Sequence, residues 1–600
     1  MTDQRHELAV LDFETYFDDN YTLSKMTTEA YIRDPRFEVL GVAIKNGARG
    51  EWVAQPAVAD FIQSINLPNT TLLCHHAHFD GLILSHHFGI KPARWLDTLS
   101  MARYLHGAHI KKSLGSLSDH YGFAEKSVPY DLFKGKHWGD LDANTQWLLA
   151  SGCLRDCELT YQIFERMLQE GFPPPELKVI DLTVRMFTEP ALVGDTKLFE
   201  KVRDDEWLKK NQTLYELGVG EKDLASADKF AAILEAEGVE VAYKPGKLGP
   251  IPAIAKTDPF MQELLNHEDE RIATLAQARL DVRSTLNETR SGRLFGCSTR
   301  GSLPVYLNYC AAHTRRWGGG DSINLQNLPR GGAIRRGLRA PDGYLFAAPD
   351  QSQGECRILN WLAGQEDVVE RFRSGHDPYL PIASKFYGRE ITKADVAERG
   401  TGKQLELSCG FGAGGATIVR TAARGTYGPP VKLSAAQGEQ AKYVYRTSHL
   451  KVVELWREGE DAIVSLAAKK NFEWRIFFSY GDGKLYHPNG LWLDYSHLKR
   501  EAGEWRLYEG NGRYRKMYGA KLVENVVQWL SRIVTAEAMV RFDAEGYRVV
   551  GMSHDDVWLL VPTEGAEEHA KKIVRIMSRV PDWAPGLPLA ADCKIGETYS

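Results

Sequence analysis

Residues 554–556 read His-Asp-Asp, directly ahead of an apolar run at 557–561 and just after the strand-like residues 546–550. Adjacent carboxylates repel each other, so apolar flanks on both sides predict a hairpin with the acids at its tip. An ordinary polar turn has the same appearance, and the acids imply chemistry only if a partner exists. Asp350 is a candidate partner: a short apolar stretch at 345–349 delivers it, and Glu355 and Arg357 follow. If both strands share one sheet, Asp350 and Asp555 can hold two Mg²⁺ ions about 3.5–4 Å apart. Mg²⁺ takes one or two carboxylates and fills its shell with water and substrate phosphates, which is the layout of phosphoryl transfer. Asp555 and Asp556 face opposite ways in an extended chain, so Asp555 is expected to be the main ligand.

Between these acids, Arg399, Lys403, Leu407 and Phe411 recur every fourth residue. On a helix they form one drifting stripe about 18 Å long, two cations followed by two apolar groups. A nucleoside triphosphate has the same order, a polyanionic tail and a flat base, although a solvated amphipathic helix would read alike. Gly410, Gly412 and Gly415 spell GxGxxG after a helix pattern, not after a strand, so they are no dinucleotide fingerprint. GTGKQ at 400–404 lacks the features of a P-loop.

Residues 313–340 carry Arg315, Arg316, Arg330, Arg335, Arg336 and Arg339 against one acid, Asp321. The arginines suit phosphates, and the amides of Asn324, Gln326 and Asn327 suit groove edges, so nucleic acid is the better reading than a solvated basic loop.

A second acid set lies near the start. Asp12 and Glu14 alternate onto one face of a strand, Asp80 follows HHAHF, and Asp156 sits in a helix pattern. Four carboxylates around two metal ions suit phosphodiester hydrolysis. Cys74, His75, His76 and His78 offer a rival zinc site, but their crowding along a strand suits tetrahedral ligation poorly.

The elements that must position these groups follow from the chain's organisation. Residues 1–170 alternate strand and helix signals and predict an α/β domain. Prolines at 173–175 mark a boundary, residues 176–295 read as helical with a looser stretch at 243–259, and a mixed, Gly-rich region follows. A composition of 43% hydrophobic and 26% charged residues is that of a globular protein, and no apolar run is long enough to span a bilayer. The chain start shows no signal peptide, and eight cysteines without a CxxC pair fit a reducing cytoplasm. A net charge of −5 places any nucleic-acid contact on local basic patches.

At these motifs the chain resembles the family A DNA polymerases, the group that includes bacterial DNA polymerase I, and most of all the compact replicative enzymes of phages. Their DYSQIELR is matched by DQSQGECR at 350–357, their R-xxx-K-xxx-[FYL]-xxx-YG by Arg399, Lys403, Leu407, Phe411 and Gly412, and their HDE by HDD. A TGR…NLQN(I/L)P segment is matched by residues 314–329, and the motifs stand in family order. The resemblance implies an α/β multidomain chain, an RNase H-like 3′–5′ exonuclease domain followed by a right-hand polymerase fold of palm, fingers and thumb. The implied boundaries are 1–172 for the exonuclease, 173–330 for thumb and connecting helices, 331–365 and 515–600 for the palm, and 366–514 for the fingers.

Under that resemblance Asp350 and Asp555 are the polymerase metal ligands, and Asp12, Glu14, Asp80 and Asp156 the exonuclease ligands. Arg399 and Lys403 bind the triphosphate, with Leu407 on the same helix, and Phe411 lies by the nascent base pair. Glu355 gates the ribose, Arg316, Asn327 and Gln528 contact primer–template, and His554 lies near the primer terminus. The implied cofactors are two Mg²⁺ per site, with Mn²⁺ as a substitute. The partners are primer–template DNA, dNTPs and phage replisome proteins, for a monomer with no membrane contact. The chain departs from the family at Gln351, Gly354, Phe411 and Asp556, and at Gly152, where a Tyr or His usually orients the attacking water. No room remains for the bacterial 5′–3′ nuclease. Two alternatives stay open: an exonuclease with an inert C-terminal half, and a non-catalytic nucleic-acid-binding scaffold.

Overall fold

The computed structural model describes residues 7–599, apart from residues 127, 247–248, 257 and 284–285. Residues 1–6, on which the reading of the chain start partly rests, lie outside them. So does part of the loose stretch at 243–259, whose described residues include a short hairpin, Tyr243–Pro245 against Pro250–Pro252.

The chain divides into two compact units. The smaller comprises residues 192–303, 328–341 and 597–600 and is mostly helical, as the pattern predicts. Leu214, Leu224, Phe230, Leu234, Met261 and Leu275 form its core.

The larger unit holds both acid sets and opens on a five-stranded sheet. Its strands are Glu7–Thr15 (β1), Val39–Asn46 (β2), Arg49–Ala54 (β3), Thr70–Cys74 (β4) and Arg94–Asp97 (β5), in the order β3-β2-β1-β4-β5. β1 pairs antiparallel with β2 and parallel with β4, so the chain crosses over beside the strand that carries Asp12 and Glu14. Helix Ala77–His87 (α1) follows β4 immediately. The fully buried Asp97 fixes this junction, accepting hydrogen bonds from the His76 and Ala77 amides and capping the next helix at Ser100. Helix Ala143–Gln169 (α2) packs on β1 and β2. The prolines at 173–175 end the chain's run beyond α2 and lead into helix Glu176–Thr188 (α3).

A second, four-stranded antiparallel sheet is made of Tyr344–Gln351 (β6), Arg548–Ser553 (β7), Asp556–Pro562 (β8) and Ala591–Gly596 (β9), in the order β7-β8-β6-β9. Residues 557–561 are buried throughout, which is why β8 reads as a continuous apolar run and not as an alternation. Helix Gly354–Ala363 (α4) follows β6, and helix Val396–Gln404 (α5) lies farther along the chain. Helix Gly519–Ala544 (α6) is buried along most of its length.

One buried ion pair ties α3 to α6. Arg532 donates from both terminal nitrogens to Glu176, at 2.7 and 2.5 Å, and the Tyr309 hydroxyl donates to the same carboxylate. The side chains are 1% and 7% exposed, so removing one partner strands a charge in the interior. Arg532→Met is expected to cost about 3–5 kcal/mol, whereas the double change Glu176→Leu/Arg532→Met is expected to recover most of it. Urea unfolding of the three proteins checks this, and equal losses in single and double variants would refute it.

Candidate functional site

β6 carries Asp350 next to its last residue, and the β7–β8 hairpin turns at His554 and Asp555, as the sequence pattern predicts. The pairing register puts Asp556 directly opposite Asp350 on one side and Asp592 opposite it on the other. Directly paired residues share a sheet face, so three carboxylates cluster at this sheet end with Asp555 in the adjoining turn. The alternation argument that separated Asp555 from Asp556 does not hold, because Asp555 belongs to a turn with His554 at φ 59° and not to a strand. Asp592, which pattern reading missed, accepts a hydrogen bond from Ser352 at 2.8 Å. Burial first, and then the charge of Asp350, push the Asp555 carboxyl up to about 7. Remote in sequence, the two acids are therefore electrostatic neighbours. Their hard oxygen donors and mutual repulsion fit a divalent cation such as Mg²⁺.

A cation borders this cluster. Arg316 pairs with Glu355 at the start of α4, and the Arg316 charge also bears on Asp555. On α5, Arg399 donates from Nε to Asp377 at 2.6 Å, and Lys403 lies half-buried one turn on. The expected unbroken stripe is corrected by a π-helix at Leu405–Cys409, which places Phe411 in the turn beyond. Arg399, Lys403, Leu407 and Phe411 are nonetheless all half-buried, and Leu407 packs on Cys356, Val368 and Phe372.

The basic segment is only partly as expected. Arg315 is 4% exposed, donates to the carbonyls of Tyr104 and Trp492, and lies over the Tyr104 ring, so it braces the fold and does not face a phosphate. Asn324 accepts from the Gln326 main-chain amide and stays half-exposed, whereas Gln326 is buried with its main-chain carbonyl held by Ser553. Asn327 and His554 are exposed. Gln528 on α6 lines a cavity of about 620 Å³ together with Arg103, Lys112, His313, Arg513 and Arg515.

The N-terminal acids converge. Asp12 and Glu14 come from β1, Asp80 from the first turn of α1 and Asp156 from α2. Burial and the charge of Asp156 push Asp12 up to about 7, while burial and then Asp12 push Glu14 well above the carboxylate range. Burial and Asp12 do the same to Asp80, which also accepts from the Phe13 amide at 3.1 Å. Two further groups, unseen in the sequence, join them. Lys126 pairs with Asp156, and the Cys153 thiol donates to Asp12 at 3.2 Å. Ligand atoms of Asp12, Glu14 and Cys153 lie within 4.8 Å of one another, a spacing suited to one cation. Burial among acids keeps the Cys153 thiol protonated, so the oxygens are the donors here and the set fits a hard cation. The zinc alternative finds no such convergence: His75 bonds Thr98 and His76 bonds Tyr306. Cys74, His75, His76 and His78 form no ligand group among the described residues.

Both sites give the chain a pH signature. Asp12 and Asp555 stand at about 7 in the fold against an ordinary aspartate value of 3.8, so the folded chain holds more protons than the unfolded chain between these values. That contribution to stability is lost as pH rises through 7. Without divalent cations the melting temperature is expected to drop from about pH 6 to about pH 8, and Mg²⁺ is expected to flatten the drop by binding only the folded carboxylates. Thermal scans with EDTA and with Mg²⁺ test this, and identical slopes would count against cation binding at either site.

Among the described residues, no helix is long and apolar enough to cross a membrane. Residues 205–453 match the family model of DNA polymerase family A. The chain is 24% identical to a DNA polymerase of Bacillus phage SP02, over 98% of this chain and 99% of that one. It is also 24% identical to the thermostable DNA polymerase I of Thermus aquaticus, over 63% of this chain but only 42% of the relative. In fold it is similar to the POL domain of Pol1 from M. smegmatis in complex with DNA primer-template and dNTP. The TM-score is 0.69 at 17% identity, covering 98% of this chain and 95% of that one.

Proposed function

We propose that this chain, which carries a family A DNA polymerase domain, is a template-directed DNA polymerase with a 3′–5′ exonuclease domain in the same polypeptide. The observation that carries the reading is the meeting of Asp350 and Asp555 at one sheet end, beside the Arg316–Glu355 pair. The M. smegmatis neighbour, solved with primer-template and dNTP, supports DNA and dNTPs as partners.

Two Mg²⁺ ions held by Asp350 and Asp555, or Mn²⁺ in their place, would supply the positive charge that phosphoryl transfer needs at the α-phosphate and at departing pyrophosphate. The chain's own residues do the positioning. Arg399 exchanges Asp377 for the triphosphate, Lys403 adds a second cation, and Phe411 flanks the new base pair. Glu355, freed from Arg316, stands where a 2′-hydroxyl would need room, and released Arg316 joins Asn327, Gln528 and His554 along the primer–template. In the N-terminal domain Asp12, Glu14, Asp80 and Asp156 would hold the cations for hydrolysis. We assign 1–172 to the exonuclease, 173–330 to thumb and connecting helices, 331–365 and 515–600 to the palm, and 366–514 to the fingers.

Primer extension with each dNTP and rNTP on templates of known sequence tests the reading. Incorporation of only the complementary dNTP, dependent on divalent cation, is the expected result. DNA binding without extension under any metal would favour a non-catalytic scaffold.

A further inference from the structure

Gly152 stands four residues before Asp156 on α2, the position at which the family the chain resembles usually carries a Tyr or His to orient the attacking water. The space is already taken. A Cβ on Gly152 would lie 2.5 Å from Cγ2 of Val128. The segment around Val128 therefore packs against the bare helix, and its neighbours enter the acid cluster from the side. Lys126 pairs with Asp156, and Tyr130 lines the same cavity of about 280 Å³ as Asp12, Glu14 and Asp80. Lys126 Nζ lies 5.3 Å from the centre of the Tyr130 ring, and the Phe17 ring meets Tyr130 edge-on at 6.4 Å. The Tyr130 amide also donates to the Val128 carbonyl at 3.1 Å, so the ring's base is fixed to the residue that fills the Gly152 gap. Tyr31 also lines the cavity, but its hydroxyl is committed to the Tyr16 carbonyl and Thr15.

We propose that Tyr130, braced by Lys126 on the segment that Gly152 admits, is the positioning residue for the hydrolytic water of the N-terminal acid site. The inference rests on the exonuclease reading of that site. In the reaction, water oxygen bonds the terminal phosphorus and the bond from phosphorus to the penultimate 3′-oxygen breaks. That oxygen takes a proton, and a nucleoside 5′-monophosphate leaves. A phenol oxygen accepting a hydrogen bond from the water aims the water's lone pair at phosphorus, the task a side chain at position 152 cannot perform here.

The test uses the full chain and a labelled single-stranded DNA with Mg²⁺, comparing the parent, Asp12→Ala, Tyr130→Phe, Tyr130→His and Gly152→Ala, with primer extension as the measure of folding. Tyr130→Phe is expected to slow degradation about 10²-fold through kcat at unchanged KM, the scale on which a misaligned reactant slows a reaction. Tyr130→His, which keeps an acceptor, is expected to restore most of the rate. Gly152→Ala is expected to slow it by about tenfold or more by displacing Val128. Anisotropy of the same DNA in EDTA gives a metal-free readout, and Tyr130→Phe is expected to bind as the parent does. Parent-like degradation by Tyr130→Phe, with Asp12→Ala inactive, would overturn the inference and leave the exonuclease reading standing. Weakened metal-free binding would also overturn it, since Tyr130 would then dock the strand. No degradation by the parent would remove the exonuclease reading and the inference together.

Discussion

Asp350→Ala is expected to cut primer extension by about 10³-fold or more while leaving 3′-end degradation within about twofold of the parent. The register explains the size of the effect. Asp350 is the one acid of the cluster with carboxylates on both neighbouring strands, and its charge is the second cause, after burial, of the raised Asp555. Its removal leaves the turn acid without the partner needed to share two cations. Groups that act as a unit fail together, so Asp555→Asn should match the loss and the double variant should add little to it. Because the substitution also removes a repulsion, metal-free Asp350→Ala should melt no lower than the parent at about pH 8, which separates lost chemistry from lost fold. Single-nucleotide incorporation and a melting curve on the same preparation decide the matter. Retained extension would end the case for this metal site.

The mirror-image result is expected for Asp12→Ala. Degradation of single-stranded DNA should fall about 10³-fold, with extension within about twofold of the parent. Asp12 is the acid whose charge reaches both Glu14 and Asp80, so it is the electrostatic centre of its set. Its loss removes one acceptor of the Cys153 thiol but leaves the main-chain carbonyl of residue 12 at 3.4 Å, so the hydrogen-bonding cost is about 1 kcal/mol at most. Excision with extension assayed in parallel distinguishes this from misfolding. A chain whose excision survived the substitution would place that activity elsewhere.

Much of this geometry was legible in the sequence where local pattern and chemistry coincide. The DxE strand, the helical Asp156, the hairpin that presents Asp555 and the strand that carries Asp350 near its end all appear where spacing places them. What stayed hidden depends on which residues meet across the fold. Asp592 is one acid in a short terminal run, and only the pairing of β6 with β9 makes it a neighbour of Asp350. Lys126 and Tyr130 have no motif spacing to the acids, because the segment that brings them is placed by the missing side chain of Gly152. The arginine-rich segment misled in the opposite direction. Composition cannot tell Arg315, spent on two backbone carbonyls and an aromatic face, from Arg316, which reaches the acids.

The widened turn at Leu405–Cys409 has a consequence for engineering the chain. A π-turn absorbs one surplus residue, so a single-residue deletion inside it can anneal to an ordinary α-helix with every backbone bond intact. Such a deletion mutant would fold with the flanking residues still in phase, because the widened turn spends its extra residue without advancing the helix. The same deletion within Val396–Gln404, an ordinary α-helix, would turn the residues beyond it by about 100°, so the tolerance belongs to the widened turn alone.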